Sequence, residues 1–285
     1  MGIKYIYAGY SKCGTKTIAA AFRILGYKVH DYEESITETA ATWTEFYKHN
    51  KDNNSPEEKI KILQKGLADF DVVMDSPCHV IWYEILLAFP EAKVIFYERP
   101  IEKWWPSFVR HNQALQRVPL ASPPDFLNHL FIEYFNPSLL IYKDSSFFPL
   151  YYGHNVRPFK NWRGENAPLD ELFVKRMYRR HCSDVLSNCP KDKLLVLDDI
   201  NCGWKVICDF TGDNLPMEKG DLIKWPHENK NAAIVKVIFG DRDNTDTRVL
   251  KYLKNEAKQN AINYLKKFVF VGLFWLWIIL AFILK

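Results

Sequence analysis

The sequence has few of the features that metal-binding, disulfide-rich or nucleic-acid-binding proteins share. Its six cysteines, at positions 13, 78, 182, 189, 202 and 208, include no CxxC pair and no His/Cys grouping at zinc-ligand spacing. This pattern favours reduced thiols in a protein that faces the cytosol, with no metal site and no disulfide framework. The formal net charge of +4 is modest and scattered, so nothing indicates a nucleic-acid partner.

The sequence also contains no internal repeat or low-complexity tract, and we expect no cleavable signal peptide because the amino terminus lacks a basic, apolar leader. Apolar runs predict strands at 3–8, 28–30, 71–74, 93–97 and 193–197, and helical patterns lie near 15–25, 56–67, 79–89, 101–117 and 169–188. This alternation predicts an α/β fold, a three-layer parallel sheet with helices on both faces. Its carboxyl edge would gather Gly9, Asp75, Arg99 and Asp198.

A glycine-bounded loop at 9–17 follows the first predicted strand and leads into a helix. Such a turn brings backbone N–H groups and the positive end of a helix dipole to one point, which suits a phosphate, although an ordinary turn would use the same glycines. In nucleotide-hydrolysing P-loops a lysine directly follows the second glycine. Here Thr15 separates Gly14 from Lys16, and a second lysine, Lys12, lies inside the loop.

The segment Lys12-Cys13-Gly14-Thr15-Lys16-Thr17 resembles the phosphosulfate-binding loop of the sulfotransferases. A second match follows the strand at 93–97, where Arg99 and Ser107 have the spacing of the pair that holds the 3′-phosphate of the donor in that family. Arginine offers a rigid fork of donors to phosphate oxygens, and a hydroxyl two helical turns later returns to the same side. Pro106 would kink or restart the helix just before this serine.

The resemblance extends over much of the chain. Asp75-Ser76-Pro77, after the third predicted strand, is similar to a DxP motif in a branch of the family that often carries a membrane anchor, and the segments 178–210 and 225–229 also match. Residues 112–168 have no evident counterpart. The alternative for the second motif is a surface ion pair between Arg99 and a neighbouring glutamate, beside a core-packing tryptophan pair at 104–105.

The resemblance implies a P-loop-like fold and transfer of a sulfuryl group from 3′-phosphoadenosine 5′-phosphosulfate (PAPS) to a hydroxyl, phenol or amine, without a metal. Lys12 would neutralise charge on the oxygens of the leaving group. The residues that would hold the 5′-phosphosulfate are Lys12, Cys13, Gly14, Thr15, Lys16 and Thr17, and those that would hold the 3′-phosphate are Arg99 and Ser107.

The base that accepts the proton of the acceptor is predicted to be Asp75, with His79 one helical turn further as a second candidate. Cytosolic sulfotransferases have a histidine at this position. An aspartate with a pKa near ~3.9 is a poor base for an alcohol, so Asp75 would need burial or a nearby cation. Its alternative role is a helix N-cap before Pro77. His79, His181 and His227 are each consistent with a structural role.

The carboxyl-terminal sequence predicts a membrane anchor. An unbroken apolar run at 268–284 lies between Lys266-Lys267 and Lys285, and its seventeen residues would span about 25 Å of a ~30 Å hydrocarbon layer as a helix. The excess of lysine and arginine before this run places the domain in the cytosol. The predicted organisation is an α/β domain at 1–246, a basic helix or linker at 247–267 and the anchor at 268–284. A buried core helix is the alternative for the anchor.

The acceptor is indicated only by a segment crowded with aromatic residues, at 126–162. This segment predicts either a cover over a hydrophobic, lipid-like or phenolic acceptor, or a helical cap that packs on the sheet. Two other functions stay open. The apolar run 194–197 followed by Asp198-Asp199 resembles a strand that ends in Mg²⁺-binding carboxylates, as in an ATP- or GTP-dependent kinase or hydrolase. A chain that keeps the fold without the chemistry would be a membrane-anchored scaffold.

Overall fold

The computed structural model describes residues 2–51, 55–116, 169–227 and 247–283. Five strands form one parallel sheet in the order β2-β3-β1-β4-β5. They are β1 (Tyr5–Tyr7), β2 (Val29–His30), β3 (Val72–Val73), β4 (Lys93–Phe96) and β5 (Leu194–Val196). All five lie inside the predicted strands, so the predicted parallel sheet is confirmed.

Nine helices and a small hairpin complete the described part of the chain. The helices are α1 (Thr15–Ile24), α2 (Tyr32–Thr37), α3 (Ala40–Lys51), α4 (Pro56–Gly66), α5 (Trp82–Ala88), α6 (Ile101–Gln116), α7 (Glu171–Asn188), α8 (Gly203–Thr211) and α9 (Arg248–Ile283), and the hairpin strands are β6 (Met217–Glu218) and β7 (Asp221–Leu222). The sequence patterns did not predict α2, α3 or α8. The start of α2 carries a capping box between Asp31 and Glu34, which is a sequence signal for a helix start.

Helices cover both faces of the sheet, as the residues of the central strand show. Tyr5 and Tyr7 of β1 belong to a buried cluster that includes Phe22 of α1. Ile6, between them, belongs to a different buried cluster that includes Phe108 of α6. Successive side chains of a strand point to opposite faces, so two separate hydrophobic cores lie on the two sides, and the predicted layering is confirmed for the described residues.

The strand order places a crevice beside β1. Strands β3 and β2 lie on one side of β1, and strands β4 and β5 lie on the other side. Ligands of open parallel sheets bind outside the carboxyl ends of the strands, where the order reverses. The loops that follow β1 and β4 are the glycine-bounded loop and the segment that starts with Arg99, so the fold brings the two predicted phosphate-binding motifs together.

The last helix, α9, begins against the α/β domain. Val249 and Leu253 are buried in the larger hydrophobic cluster, and Arg248 donates to the carboxylates of Glu34 in α2 and of Glu38 directly after it, at 3.0 and 2.6 Å. Among the residues whose side chains are described, no helix is both long and apolar enough to cross a bilayer. Side chains at 271–285 lie outside the described set, as does the aromatic segment 126–162, so the anchor and the acceptor cover stay predictions.

Candidate active site

Three consecutive carbonyl groups of the loop between β1 and α1, those of residues 11–13, accept hydrogen bonds from side chains of other segments. Trp104 Nε1 donates to the carbonyl of residue 11, and Arg99 Nη1 to that of residue 12, each at 2.8 Å. The Tyr7 hydroxyl donates to the carbonyl of residue 13. These three hydrogen bonds hold the backbone of the loop in its turn. Arg99 therefore contacts the loop directly, and the tryptophan of the predicted core pair also helps to hold it.

The backbone of this loop adopts conformations that proteins usually reserve for functional turns. Lys12 has φ 71°, a left-handed conformation that costs a non-glycine residue about 1–2 kcal/mol. Gly14 has φ 84°, and a Cβ atom there would lie 2.2 Å from the side chain of Ile200. Helix α1 begins at Thr15, and the first N–H groups of a helix have no intrahelical acceptor. The loop therefore presents donors suited to an anion.

The loop, the start of α6 and the segment after β5 enclose a cleft with a volume of about 330 Å³. Every residue that the sequence predicted to bind the donor lines this cleft except Cys13. Cys13 is fully buried, and its sulfur lies 3.7 Å from the Tyr178 hydroxyl, so its side chain packs in the core. The predicted residues in the lining are Lys12, Gly14, Thr15, Lys16, Thr17, Arg99 and Ser107.

Six further residues line the cleft that the sequence patterns did not assign to it: Tyr97, Lys103, Asp199, Ile200, Asn201 and His227. Lys103 lies one helical turn before Ser107, so the spacing of α6 could have indicated it. Asp199 had been considered only as a Mg²⁺ ligand, and His227 only as structural. His227 Nδ1 lies 3.1 Å from Asn201 Oδ1, a contact that depends on tertiary packing and leaves no mark in the sequence.

Helix α6 runs without interruption from Ile101 to Gln116, and Pro106 lies within it. The helix therefore does not restart at the proline. Trp104 and Phe108 are fully buried, while Lys103 and Ser107 line the cleft. Residues four apart share a helix face, so the apolar positions of α6 hold it to the core and its polar positions reach the cleft.

The two lysines of the loop have different electrostatic environments. The pKa of Lys12 is lowered to about 8, mainly by burial; the carboxylate of Asp75 opposes this shift, and the positive charge of Arg99 adds to it. Lys16 Nζ lies 2.6 Å from the Asp31 carboxylate. Burial alone would lower the pKa of Lys16, but the nearby carboxylates, chiefly those of Asp31 and Asp75, together outweigh it and the pKa is raised. Lys16 is therefore held by a carboxylate, whereas Lys12 is the more weakly protonated cation of the loop.

Asp75 lies beside the loop, and both of its carboxylate oxygens are engaged. Oδ1 accepts from the Ser76 backbone N–H at 2.8 Å, and Oδ2 accepts from the Thr15 hydroxyl at 3.2 Å. Burial raises the pKa of Asp75, and Lys16 and Lys12 act against this shift. Asp75 does not cap the next helix, because α5 begins only at Trp82. Its contacts fit a residue that positions the loop.

His79 and His181 lie in the core beside Tyr10. The ring of His79 is 5.1 Å from that of Tyr10 and 5.7 Å from that of His181, and burial lowers the pKa of His79 to about 3. His181 Nε2 lies 2.7 Å from the carbonyl oxygen of Ala8 at the end of β1. Neither histidine is among the residues that line the cleft, so the second predicted base is not brought to the site.

A family model described as a sulfotransferase domain matches residues 4–234. The chain belongs to the sulfotransferase domain family. A curated relative, the Ava biosynthesis cluster protein M of Aspergillus versicolor, is 23% identical over 231 residues, which is 79% of this chain and 80% of the relative. The family predicted from the two motifs is therefore confirmed, and the match covers both of them.

In this sulfotransferase domain the cleft carries four basic side chains, Lys12, Lys16, Arg99 and Lys103. A ligand with phosphate groups at two ends fits this set, since the loop supplies backbone donors at one place and Arg99 supplies a fork of donors at another. Among the described residues, no group of three or more His, Cys, Asp or Glu side chains could hold a metal ion. The four basic side chains make the cleft suited to an anion.

Proposed function

We propose that this protein is a PAPS-dependent sulfotransferase that acts on a hydroxyl, phenol or amine of a small molecule. The observation that carries the proposal is the 2.8 Å hydrogen bond from Arg99 to the carbonyl of Lys12. It joins the two motifs of the sequence across one cleft, as a nucleotide with both a 3′-phosphate and a 5′-phosphosulfate requires. The family match agrees with this activity.

The residues predicted from the sequence have distinct roles in the proposed reaction. The bound donor would supply an activated sulfuryl group on an anionic nucleotide. Lys12 would stabilise the negative charge that develops on the leaving oxygen, and the N–H groups at the start of α1 would hold the 5′ end. Arg99 and Ser107 would hold the 3′-phosphate. Asp75 would keep Thr15 and the loop in position through its hydrogen bond.

Membrane attachment is part of the same proposal. The apolar run at 268–284 would act as a single-pass anchor, and the basic residues before it would keep the domain on the cytosolic side. A hydrophobic, lipid-like or phenolic acceptor would suit an enzyme in that place. The predicted division at 246 and 267 follows from this arrangement.

The test is thermal unfolding of the full chain with adenosine 3′,5′-bisphosphate (PAP), compared with ATP in the presence and absence of Mg²⁺. A ligand at a hundred times its Kd adds about 2.7 kcal/mol to the free energy of unfolding, which raises Tm by about 5–10 °C in a domain of this size. We expect this shift with PAP, without metal, and a much smaller one in Lys12→Ala. Lys258→Ala, an exposed change on α9, is the control. Stabilisation by ATP alone would overturn the proposal.

A nucleotide kinase or hydrolase is the second candidate, because Asp199 lines the cleft. Its Oδ1, however, accepts from the backbone N–H of Asn201 at 2.7 Å, and Lys16 is paired with Asp31. Turnover of ATP that requires magnesium would favour this candidate. A third outcome, PAP binding with no transfer of labelled sulfate by wild type or Lys12→Ala, would favour the inactive scaffold.

A further inference from the structure

A 5′-phosphosulfate and a 5′-diphosphate have nearly the same shape and differ in the charge of the terminal group. A sulfate ester carries a single negative charge, whereas a terminal phosphate, whose second pKa is near ~6, carries a second one at pH 8. Shape and hydrogen-bond donors separate the two groups poorly, so a protein has to sense the additional charge. If the proposed function holds, on which this inference rests, a residue near the start of α1 must do so.

Lys16, the second residue of α1, lines the cleft, and a carboxylate behind it balances its charge. The Lys16 Nζ atom lies 2.6 Å from the carboxylate of Asp31, and the two side chains are only 11% and 2% exposed. A pair that is buried to this extent is screened little by salt. Asp31 directly follows β2 and is not among the residues that line the cleft, so it acts on a ligand through Lys16 and through its own charge.

Asp31 is held in place by the start of α2. Its Oδ1 atom accepts a hydrogen bond from the Tyr32 N–H at 2.7 Å, and its own N–H donates to the Glu34 carboxylate at 3.0 Å. Arg23 is a more distant partner, because it lies 3.9 Å from Asp31, is 45% exposed and also pairs with Glu34 at 3.5 Å. The ammonium of Lys16 is therefore bound to a negative charge that cannot follow it towards a ligand.

The pKa values of the two partners agree with an ionised pair. Burial alone would raise the pKa of Asp31, but the ammonium of Lys16 outweighs burial and the pKa is lowered. Burial alone would lower the pKa of Lys16, yet this pKa is raised by nearby carboxylates, that of Asp31 first. Asp75, the other buried carboxylate beside the loop, accepts its hydrogen bonds from a backbone N–H and a hydroxyl. Asp31 is therefore the carboxylate that pairs with Lys16.

We propose that Asp31 is a specificity-determining residue of the donor site: it holds Lys16, balances its charge, and so makes the cleft prefer a 5′-phosphosulfate to a 5′-diphosphate or 5′-triphosphate. A lysine that is free at the start of the helix stabilises each charge added to the 5′ end, as it does in nucleotide-hydrolysing P-loops. Here the stem of Lys16 still forms part of the cleft wall, but the pair offers no net charge to the additional charge of a terminal phosphate. Asp31 thus acts on selectivity and not on the chemical step.

The first test is titration calorimetry of Asp31→Asn with PAPS and with adenosine 3′-phosphate 5′-diphosphate, at pH 8 and without acceptor or metal. Asparagine keeps the ability to cap α2 but removes the charge. The ratio of the Kd of the diphosphate to that of PAPS should fall by about tenfold, the effect of one pair of unit charges about 6–8 Å apart in partly solvated protein. Asp71→Asn is the control, because Asp71 pairs with Lys4 at 3.0 Å before β3, at the opposite edge of the sheet. An unchanged or higher ratio in Asp31→Asn would overturn the inference.

The second test separates charge from structural damage with a double-mutant cycle. Lys16→Gln should raise the same ratio by about tenfold, and the double variant Asp31→Asn/Lys16→Gln should return it to within about threefold of wild type, because the pair is again neutral. Damage to the fold alone would not move the ratio in opposite directions. Shifts of the same sign in the two single variants, or no recovery in the double variant, would contradict the inference. A wild-type protein that binds neither PAPS nor PAP would instead refute the proposed function, so the two failures are distinguishable.

Discussion

Replacing Arg99 with alanine tests whether this residue both supports the loop and holds the 3′-phosphate. The change removes a charge-assisted hydrogen bond to the carbonyl of Lys12 at 2.8 Å. Such a bond contributes about 1.5–3 kcal/mol, and because Arg99 is partly exposed, water will replace part of it. We therefore expect the lower end of this range, about 1.5 kcal/mol, which corresponds to a fall in Tm of about 3–6 °C.

The effect on ligand binding separates support of the loop from contact with the phosphate. If Arg99 holds the 3′-phosphate, its loss should weaken PAP by about 1.5–3 kcal/mol, or roughly 10- to 150-fold in Kd. Adenosine 5′-monophosphate lacks that phosphate and should be weakened only through the loop. Titration calorimetry of both nucleotides with wild type and Arg99→Ala therefore gives a double difference that isolates the 3′-phosphate.

Two control variants make the comparison specific. Arg99→Lys keeps the positive charge but loses the fork of donors, so it should recover part of the PAP affinity and little of the preference for PAP over the monophosphate. Arg180→Ala removes an exposed charge from α7 and should change neither nucleotide. If Arg99→Ala weakened PAP and the monophosphate by the same factor, the residue would act on the loop alone, and the 3′-phosphate would have to bind elsewhere.

Three changes away from the phosphate contacts have calculable outcomes. Gly14→Ala should destabilise more than Gly26→Ala, because both have positive φ but only at Gly14 would a Cβ meet a neighbour, Ile200 at 2.2 Å; urea unfolding should separate the two, each carrying about 1–2 kcal/mol of backbone cost. Burial lowers the pKa of His30 to about 4, so the unfolded chain binds this proton first and the free energy of unfolding falls by about 1.4 kcal/mol per unit as pH drops from ~6.5 towards 4; urea unfolding at pH 7 and 5 should show a smaller fall in His30→Gln. Arg248→Ala should lower Tm by about 1–3 °C, because its partly exposed pairs with α2 contribute about 1 kcal/mol at most, and the difference should shrink in 1 M NaCl if the pairs are the cause.

The sheet could be predicted from the sequence because each strand is a short apolar run next to glycine, proline or a charged turn. The segment at 71–74, for example, contains β3, which is buried in full. Helices α2 and α3 were missed since their apolar residues are few and irregular, and tertiary contacts hold them. Trp43 of α3 is fully buried, and its ring lies 5.6 Å from the ring of His30 in β2. This contact joins a helix to a strand, and no local sequence pattern records it.

The two phosphate motifs could be predicted because each lies within a short stretch of sequence, and because phosphate binding requires particular residue types. His227 could not, since its place in the cleft depends on its contact with Asn201 at 3.1 Å, which no local pattern records. Asp75 was predicted as a base from its position after β3. The structure brings it to the loop, where its carboxylate accepts hydrogen bonds from Ser76 and Thr15, and sequence alone does not reveal these contacts.

The spacing of the loop lysines is the reason that, under the proposed function, we expect this cleft to favour a sulfuryl donor over a nucleoside triphosphate. In a nucleotide-hydrolysing P-loop the lysine at the start of the helix must be free to reach the terminal phosphates. Here Thr15 takes that place and bonds to Asp75, and Lys16 is shifted by one residue into an ion pair with Asp31 at 2.6 Å. Lys12 has a left-handed backbone conformation and its carbonyl accepts a hydrogen bond from Arg99; we propose that it is the cation that responds to developing charge. In the proposed reaction the catalytic positive charge therefore belongs to Lys12 in the loop and not to a lysine at the start of the helix.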